Sequence, residues 1–336
     1  METKKFIDIL EIYNGKNQKS VENPDGKYPI YGSGGVMGRA DEYICPAETV
    51  VIGRKGSINN PIFVTEPFWN VDTAFGLVAR KEVLLPKYLF YFCRYFDFEK
   101  LNTTVTIPSL TKANLLKIEM PIPSIIEQRS IVTKLNLLTD MIQQRQEQLT
   151  KLDELIKARF VELFNGQGYP VLKWNDVFNT TTGKLDSNAA VENGEYPFFT
   201  CSKEILRIDK YAFEQKALLL AGNNAAGKYD VKYYNGKFNA YQRTYVLGLK
   251  ENWSYRLFQY QLEDKLEYLQ QQSLGGLTKY LTLKILGSLE FIIPPKDRQD
   301  EFDTFVGRVD QQKQAVQQSL DKLELLKNAL MHEYFG

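Results

Sequence analysis

The stretch Ile118–Ile131 reads IEMPIPSIIEQRSI, and Leu289–Phe302, which begins 171 residues later, reads LEFIIPPKDRQDEF. Both stretches carry an apolar residue followed by Glu, then a proline and a glutamine in the same register. Nearer the N-terminus the match continues at an offset of 168, where Gly26-x-Tyr28-Pro29 recurs as Gly194-x-Tyr196-Pro197. A period this long is typical of a duplicated domain and not of a solenoid repeat. The duplication predicts a pseudo-two-fold protein, which suits a two-fold partner such as double-stranded DNA.

Each copy divides into a mixed front and a helical back. Short apolar runs such as Thr49–Ile52 and Ala217–Leu220 are typical of strands, and turn signals such as Asn235-Gly236 are expected to separate the strands. One amphipathic helix per copy is predicted, around Tyr88–Tyr95 and around Tyr255–Leu269. The predicted boundaries are residues 1–124 and 166–295 for the two fronts, and 125–165 and 296–336 for the two helical segments.

Both helical segments carry apolar residues at heptad spacing. Arg145 and Arg159 interrupt the first series, and Lys313 and Lys327 interrupt the second at different levels. The seam positions are Ile131, Leu135, Leu138, Ile142, Leu149, Leu152, Phe302, Val306, Val309, Val316, Leu320 and Leu323. One interpretation is that each helix packs only within its own domain. However, a helix of about 33 residues spans about 50 Å, which is more than a small domain requires.

The order front, helix, front, helix decides how the helices can pair. For the two helices to meet, the chain must return on itself, so the pair is predicted to be an antiparallel coiled coil. The predicted fold class is therefore α+β, with two mixed α/β domains separated by the paired helices and related by the internal duplication.

The composition is that of a globular chain without a strong overall charge. Its 336 residues are 43% hydrophobic and carry a net charge of +1. No apolar run approaches the ~20 residues of a membrane span, and the first residues lack the apolar core of a signal peptide. Cys45, Cys93 and Cys201 are isolated, which argues against a disulfide framework and against a zinc site. We therefore expect a protein of the reducing cytoplasm that does not bind membranes.

The sequence offers few residues of the types that catalyse reactions. Gly222–Lys228 fits the first seven positions of a P-loop, but Tyr229 follows where that motif needs a short hydroxyl for Mg²⁺. The next residues also resemble a strand, whereas a P-loop opens a helix. His332 is the single histidine, and no acidic cluster has the spacing of a metal or nuclease site. The chain is predicted to bind and not to catalyse, with no cofactor, no metal and no catalytic residue.

Polar and basic residues gather in loops of the two fronts, although the net charge is low. Lys and Arg can neutralise phosphates, while Arg, Lys, Asn, Gln, Ser and Thr can bond to base edges. The loops share framework glycines but differ in their polar tips, which fits either two domains that read different sequences or simple drift of surface loops. One later loop recurs, with Thr111-Lys112 matched to Thr278-Lys279. The candidate DNA-contact residues are Ser33, Arg39, Arg54, Lys55, Ser57, Asn59, Thr104, Thr106, Lys112, Ser202, Lys203, Asn223, Asn224, Lys228, Gln242, Arg243, Ser273 and Lys279.

The duplicated order of front and long helix, with a proline-rich turn before each helix, resembles the specificity subunits of type I restriction–modification systems. The resemblance covers nearly the whole chain. In the second copy Arg298 stands where the family has Glu, while the glutamine and the apolar phase remain. The residues that carry the resemblance are Leu110, Leu115, Ile118, Pro121, Pro123, Glu127, Gln128, Arg129 and Ile131, and in the second copy Leu281, Leu289, Ile292, Pro294, Pro295, Gln299 and Phe302.

This resemblance implies that each front is a target-recognition domain that reads one half of a bipartite, asymmetric DNA site. The helix pair would set the unread spacer, and two methyltransferase subunits would dock on the chain. Restriction subunits with nuclease and translocase activity would bind further out, and all catalysis would belong to these partners. Two other interpretations remain at this point: a scaffold whose fronts bind proteins, and a P-loop enzyme.

Overall fold

The computed structural model describes residues 2–55, 57–101, 109–225 and 227–336. The chain forms two compact units. The first unit combines Met1–Leu149 with Ala315–Gly336, and the second comprises Thr150–Gln314. Both units therefore contain parts of two chain segments that the sequence predicts as long helices. In the described part of the chain, every helix is either too short or too polar to span a bilayer.

Within its described residues the first unit is built from three small sheets and five α-helical segments, the last of which is residues 315–335. An antiparallel sheet has the order β2-β8-β5-β6, a second sheet has the order β4-β3-β7, and β1 pairs with β9. The elements are β1 (Thr3–Lys5), α1 (Phe6–Ile9), β2 (Leu10–Asn14), β3 (Tyr28–Gly32), β4 (Gly35–Ala40), β5 (Thr49–Gly53), β6 (Ile62–Val64), β7 (Trp69–Asn70), β8 (Ala74–Ala79), α2 (Pro86–Tyr95), α3 (Lys112–Leu115), β9 (Glu119–Pro121) and the first part of α4 (Ile125–Phe164).

The second unit repeats this plan with longer strands. Its main sheet has six described strands in the order β11-β17-β14-β16-β12-β13, while β10 pairs with β19 and β15 pairs with β18. The elements that follow α4 are β10 (Val171–Lys173), α5 (Trp174–Val177), β11 (Phe178–Thr182), β12 (Tyr196–Phe199), β13 (Leu206–Ile208), β14 (Phe213–Ala221), β15 (Asn223–Asn224), β16 (Val231–Ala240), β17 (Thr244–Leu249), α6 (Tyr255–Asp264), α7 (Leu266–Gln272), β18 (Lys279–Tyr280), α8 (Leu283–Gly287), β19 (Glu290–Ile292) and α9 (Lys296–Phe335).

The two units share a framework that specific glycines make possible. A Cβ on Gly15 would lie 1.7 Å from the Val71 carbonyl oxygen, and a Cβ on Gly183 would lie 1.7 Å from that of Ala240. No side chain can be accommodated at either approach, so the glycines recur because the two backbones make the same close contact. The internal duplication predicted from the sequence is confirmed.

One sequence-based expectation about a turn was wrong. Asn235-Gly236 does not form a turn but lies inside β16, where Lys216 pairs with Asn235 and Gln215 pairs with Gly236. Eight residues of β14, from Phe213 to Leu220, pair with β16, and this long ladder overrides the local turn preference of two residues.

The proposed match of Thr111 with Thr278 is also incorrect. Thr111 caps α3 by accepting from the Asn114 N–H at 3.2 Å, and Thr282 caps α8 by accepting from the Ile285 N–H at 3.3 Å. Thr111 therefore corresponds to Thr282, and Lys112 and Lys279 are not equivalent positions.

A buried glutamine connects the start of each long helix to the mixed domain of its own unit. Gln128 is fully buried; its Nε2 donates to the Val83 and Pro123 carbonyls, both at 2.9 Å. Its Oε1 accepts from the Leu85 N–H at 2.9 Å, at the N-terminus of α2. Gln299 does the same with the Pro294 carbonyl at 2.8 Å and the Ser254 N–H at 2.9 Å. The shared glutamine is thus a structural residue.

The first turn of α4 carries a capping box that α9 lacks. The Glu127 carboxylate accepts from the Ser124 N–H at 2.9 Å and from its hydroxyl at 2.7 Å, while the Ser124 Oγ accepts from the Glu127 N–H at 3.3 Å. These bonds satisfy donors that a helix N-terminus leaves unpaired, and they lower the pKa of Glu127. In α9 the corresponding Arg298 instead pairs with Glu301 at 2.7 Å.

The predicted antiparallel pairing of the long helices is present in the helical parts of both units. In the second unit Lys313 contacts Asp153 at 2.6 Å and Arg159 contacts Glu301 at 2.5 Å, so later residues of α4 face earlier residues of α9. In the first unit Leu135 near the start of α4 shares a core with Phe335 at the end of α9. All predicted seam residues are buried or half-buried, and the four basic interruptions are half-buried, as is expected where long Lys and Arg stems cover apolar surface.

Candidate nucleic-acid interface

Four predicted DNA-contact residues of the first unit lie together at one end of its sheets. Ser33 follows β3, and Arg54, Lys55 and Ser57 follow β5. The Ser33 Cβ lies 3.0 Å from where Gly53 would carry its own Cβ, which places the two loops in contact. We call Ser33, Arg54, Lys55 and Ser57 polar edge 1. The three residues after β5 are exposed, and Ser33 is half-buried.

The backbone of polar edge 1 is fixed by hydrogen bonds to neighbouring strands. The Arg54 N–H donates to the Thr73 carbonyl at 2.8 Å, just before β8 begins, and the Leu110 N–H donates to the Arg54 carbonyl at 2.9 Å. Lys55 forms an isolated bridge with Ser109. The backbone that carries the basic side chains is therefore fixed in position, as precise recognition of a ligand requires.

The second unit brings a larger set of predicted residues to the equivalent end of its sheet. They come from the ends of β12 and β14, from the β15–β18 pair, from the segment before β16 and from the β16–β17 turn. Cys201 joins two of these loops, since its Sγ donates to the Arg243 carbonyl at 3.5 Å. We call this set polar edge 2, and its members are Ser202, Asn223, Lys228, Arg243 and Lys279.

Contacts within polar edge 2 hold its loops together. Asn223 pairs with Tyr280, and Asn224 pairs with Lys279. The Gly222 N–H donates to the Arg243 carbonyl at 2.8 Å. The Lys232 ammonium, which is also paired with Asp230, donates to the Ser202 carbonyl at 2.9 Å. Among the described residues, neither Arg54 of polar edge 1 nor Lys228 or Arg243 of polar edge 2 forms an ion pair.

Several predicted DNA-contact residues use their side-chain donors in hydrogen bonds within the protein. Arg39 donates from Nε to the Gly26 carbonyl at 2.6 Å and from Nη2 to that of Lys27 at 2.7 Å. Arg207 of the second unit makes the same two contacts, to the carbonyls of Gly194 at 2.9 Å and Glu195 at 2.7 Å. The contact of Arg39 thus belongs to the shared framework.

Asn59, Lys112 and Gln242 are engaged in a similar way. Asn59 donates to Asp97 at 2.9 Å and accepts from the Phe98 N–H at 2.8 Å. The Lys112 ammonium donates to the Ile12 carbonyl at 2.7 Å, and Gln242 donates to Asp186 at 3.3 Å. DNA contact by these residues stays a prediction, and each has a structural role in addition.

The remaining predicted residues are placed as follows. Lys203 is exposed beside polar edge 2, Ser273 donates to the Gln270 carbonyl at 2.7 Å, and Asn224 accepts from the Lys228 N–H at 3.4 Å. Thr104 and Thr106 lie outside the described residues.

The structure shows where the features that the sequence analysis weighed for catalysis lie. The segment that resembles a P-loop is followed by the strand β16 and not by a helix. His332 forms a hydrogen bond with the Tyr95 hydroxyl at 2.8 Å on the last turn of α9. Within the described residues, no group of three or more His, Cys, Asp or Glu side chains could hold a metal ion.

One position that belongs to polar edge 1 escaped the sequence analysis. Thr73 occupies the place of Arg243, because the carbonyl of each residue accepts a hydrogen bond from the first residue after the neighbouring strand, Arg54 after β5 and Gly222 after β14. The offset between the two residues is 170, which lies between the offsets of 168 and 171 that align the rest of the copies. An alignment that allowed the offset to change between strands would have found it.

Comparison with known proteins identifies related sequences and one shared fold. Residues 1–152 and 167–325 match a family model described as the type I restriction modification DNA specificity domain. The specificity subunit of the type I restriction enzyme EcoDI from Escherichia coli is 31% identical over 170 residues. That alignment covers 48% of this chain and 37% of the E. coli protein, so the chain matches only about a third of that relative's length.

Two further relatives align over nearly the full chain. A protein of Haemophilus influenzae, named as a type I restriction enzyme specificity subunit, is 22% identical over 99% of this chain and 95% of its own length. The crystal structure of a type I restriction–modification S subunit from M. genitalium superposes with a TM-score of 0.68 and 17% identity. It covers 100% of this chain and 96% of that protein, and at this identity the likeness concerns the fold alone.

Proposed function

The chain belongs to the type I restriction modification DNA specificity domain family, and from this premise we propose that it gives a type I restriction–modification complex its DNA sequence specificity. Each unit reads one half of a bipartite, asymmetric double-stranded site. The observation that carries this proposal is the presence of polar edges 1 and 2 at the same place of a duplicated framework, with different side chains on each. Two copies of one recognition domain that differ in their loop side chains are suited to two different half-sites.

The roles of the parts follow from their chemistry. The exposed basic side chains of the edges contact phosphates and set the register, while a few of the Arg, Lys, Asn and Ser side chains bond to base edges. The helix pair fixes the number of unread base pairs between the half-sites. Methyltransferase subunits, two in number, dock on this chain, and restriction subunits join them. The partners supply methyl transfer, ATP hydrolysis and cleavage, so this chain itself needs no cofactor.

The experiment that tests the proposal is a map of methylated bases in host cells with the gene present, deleted and restored. We expect one split motif to lose methylation on deletion and to regain it on restoration, which would also give both half-sites. An unchanged map together with no recovery of methyltransferase subunits in a pull-down would contradict the proposal and favour a protein-binding scaffold.

The phosphate-contact role of polar edge 2 gives a quantitative prediction. Replacing Lys228 with Ala in the assembled methyltransferase complex is expected to make the negative slope of log affinity against log salt shallower by roughly 0.9, the value for one phosphate contact on duplex DNA. Lys322→Ala removes an equal charge from an exposed position of α9 and serves as the matched control. Binding titrations at several salt concentrations measure both slopes, and equal slopes for the two variants would remove Lys228 from the interface.

A further inference from the structure

The two units carry different residues at the pair that extends the central ladder of each sheet. In the first unit the ladder of β5 and β8 pairs Ile52 with Phe75 and Gly53 with Ala74. The next pair is Arg54 and Thr73, joined by the Arg54 N–H to the Thr73 carbonyl at 2.8 Å. We call this the ladder-end pair of the unit. It is formed by Arg54 and Thr73 in the first unit and by Gly222 and Arg243 in the second.

The second unit repeats this ladder residue for residue. There β14 and β17 pair Leu220 with Tyr245 and Ala221 with Thr244. The Gly222 N–H then donates to the Arg243 carbonyl at 2.8 Å, which is the same bond at the same length. Gly222 therefore corresponds to Arg54, and Arg243 corresponds to Thr73.

Each ladder-end pair thus contains one arginine, but on opposite strands. In the first unit the arginine follows the strand β5, and in the second it precedes the strand β17. Gly222 cannot carry a side chain in its present backbone, because its Cβ would lie 2.3 Å from the Arg243 carbonyl oxygen. The second unit therefore supplies the guanidinium from the only strand of the pair that has room for it.

An aromatic residue occupies the same position of the ladder in both units, Phe75 in the first and Tyr245 in the second. The Arg54 Cζ is 5.7 Å from the ring centroid of Phe75. In the second unit the corresponding ring is Tyr245; burial raises its pKa, and the positive charge of Arg243 opposes that rise. A guanidinium near an aromatic face is partly positioned without losing its fork of donors. The two arginines therefore stand on paired strands at equivalent ends of the two ladders.

Drift of surface loops does not explain this arrangement well. Random substitution would remove an arginine from one strand without placing another on its cross-strand partner. The exchange keeps one exposed guanidinium at the ladder end in each unit, which indicates that the charge and its fork geometry are needed there. A planar guanidinium forms two parallel bonds to O6 and N7 of guanine in the major groove.

On the basis of the function proposed above, we propose that the ladder-end arginine of each unit, Arg54 or Arg243, reads a guanine at the corresponding position of its own half-site. Both half-sites therefore contain a guanine at matching positions. The residues that follow Arg54 and Gly222 in the chain, Lys55 in one unit and Asn223 in the other, differ in chemistry and are suited to distinguish the neighbouring base pair.

The test transplants the arrangement of the second unit into the first. Arg54→Gly alone is expected to relax one guanine position of the first half-site, with discrimination at that base pair falling by roughly 5- to 150-fold, the range for one bidentate contact. Arg54→Gly combined with Thr73→Arg recreates the Gly222–Arg243 pair and is expected to restore the original motif. Thr73 is exposed, so an arginine can be accommodated there.

Methylation maps of cells that carry the complete system with each variant give the readout. Assembly with the partner subunits and thermal unfolding are measured in parallel, so that a folding defect of Arg54→Gly is recognised. Rescue by the double variant would then separate readout from stability, because an arginine on the neighbouring strand restores the guanidinium but does not reverse a general folding defect of Arg54→Gly.

Three results would overturn the proposal. The first is an unchanged motif in Arg54→Gly, and the second is a motif in which at least one half-site contains no G·C pair. The third is a uniform loss of methylation across all sequences in Arg54→Gly. If methylation by the purified complex then recovers at low salt, the arginine contacts a phosphate and not a base. If the wild-type protein directs no methylation to a split site, the proposed function itself fails and this inference fails with it.

Discussion

Insertion of one heptad into each long helix is expected to lengthen the unread spacer of the DNA site by about 3 base pairs. Seven helical residues add about 10.5 Å at 1.5 Å per residue, and duplex DNA rises about 3.4 Å per base pair. Whole heptads preserve the phase of the apolar seam. Suitable points are after Leu149 in α4 and after Gln314 in α9, where the chain passes between the two units.

The measurement is a methylation map of cells that carry the lengthened protein. Both half-sites should be unchanged, and only the number of bases between them should grow. A matched control inserts two residues at the same points, which turns the following part of each seam by about 200° and should abolish assembly. An unchanged spacer with the heptad insertions in place would contradict the role of the helices as a ruler.

The sequence predicted the helices and strands of this protein better than the arrangement of its polar loop residues. Heptad spacing identified seam residues such as Leu135 and Phe302, which are fully buried, because apolar periodicity is imposed by packing along the whole helix. Apolar runs likewise marked β5 and β14. A local turn signal failed at Asn235-Gly236, where pairing with a long neighbouring strand outweighs the preference of two residues.

The candidate site could be predicted only as a set of loops. Ser202 and Lys279 are far apart in the sequence, but the strand order brings their loops to the same end of the sheet. Strand order cannot be deduced from local sequence patterns. Arg39 was selected for its charge, yet two of its donors bond backbone carbonyls. The exchange between Arg54 and Arg243 became visible only through the ladder register of the two sheets.

Replacement of Gln128 with Leu is expected to destabilise the first unit by roughly 3–5 kcal/mol. The substitution removes three hydrogen bonds and leaves the Leu85 N–H and the Val83 and Pro123 carbonyls without their partner. Each buried polar group that loses its partner costs about 1–3 kcal/mol, and Leu cannot form any of these bonds. The same change at Gln299, which makes two such bonds, should cost less.

Chemical denaturation of the full chain, followed by circular dichroism, measures the free energy of unfolding of each variant. Gln144→Leu provides the matched control, because this glutamine is exposed on α4 and its replacement should change stability by less than about 0.5 kcal/mol. A loss below about 1 kcal/mol for Gln128→Leu would mean that the glutamine does not hold α2 to α4. A large loss would explain why glutamine occupies this position in both copies, since the joint between long helix and mixed domain depends on it in each unit.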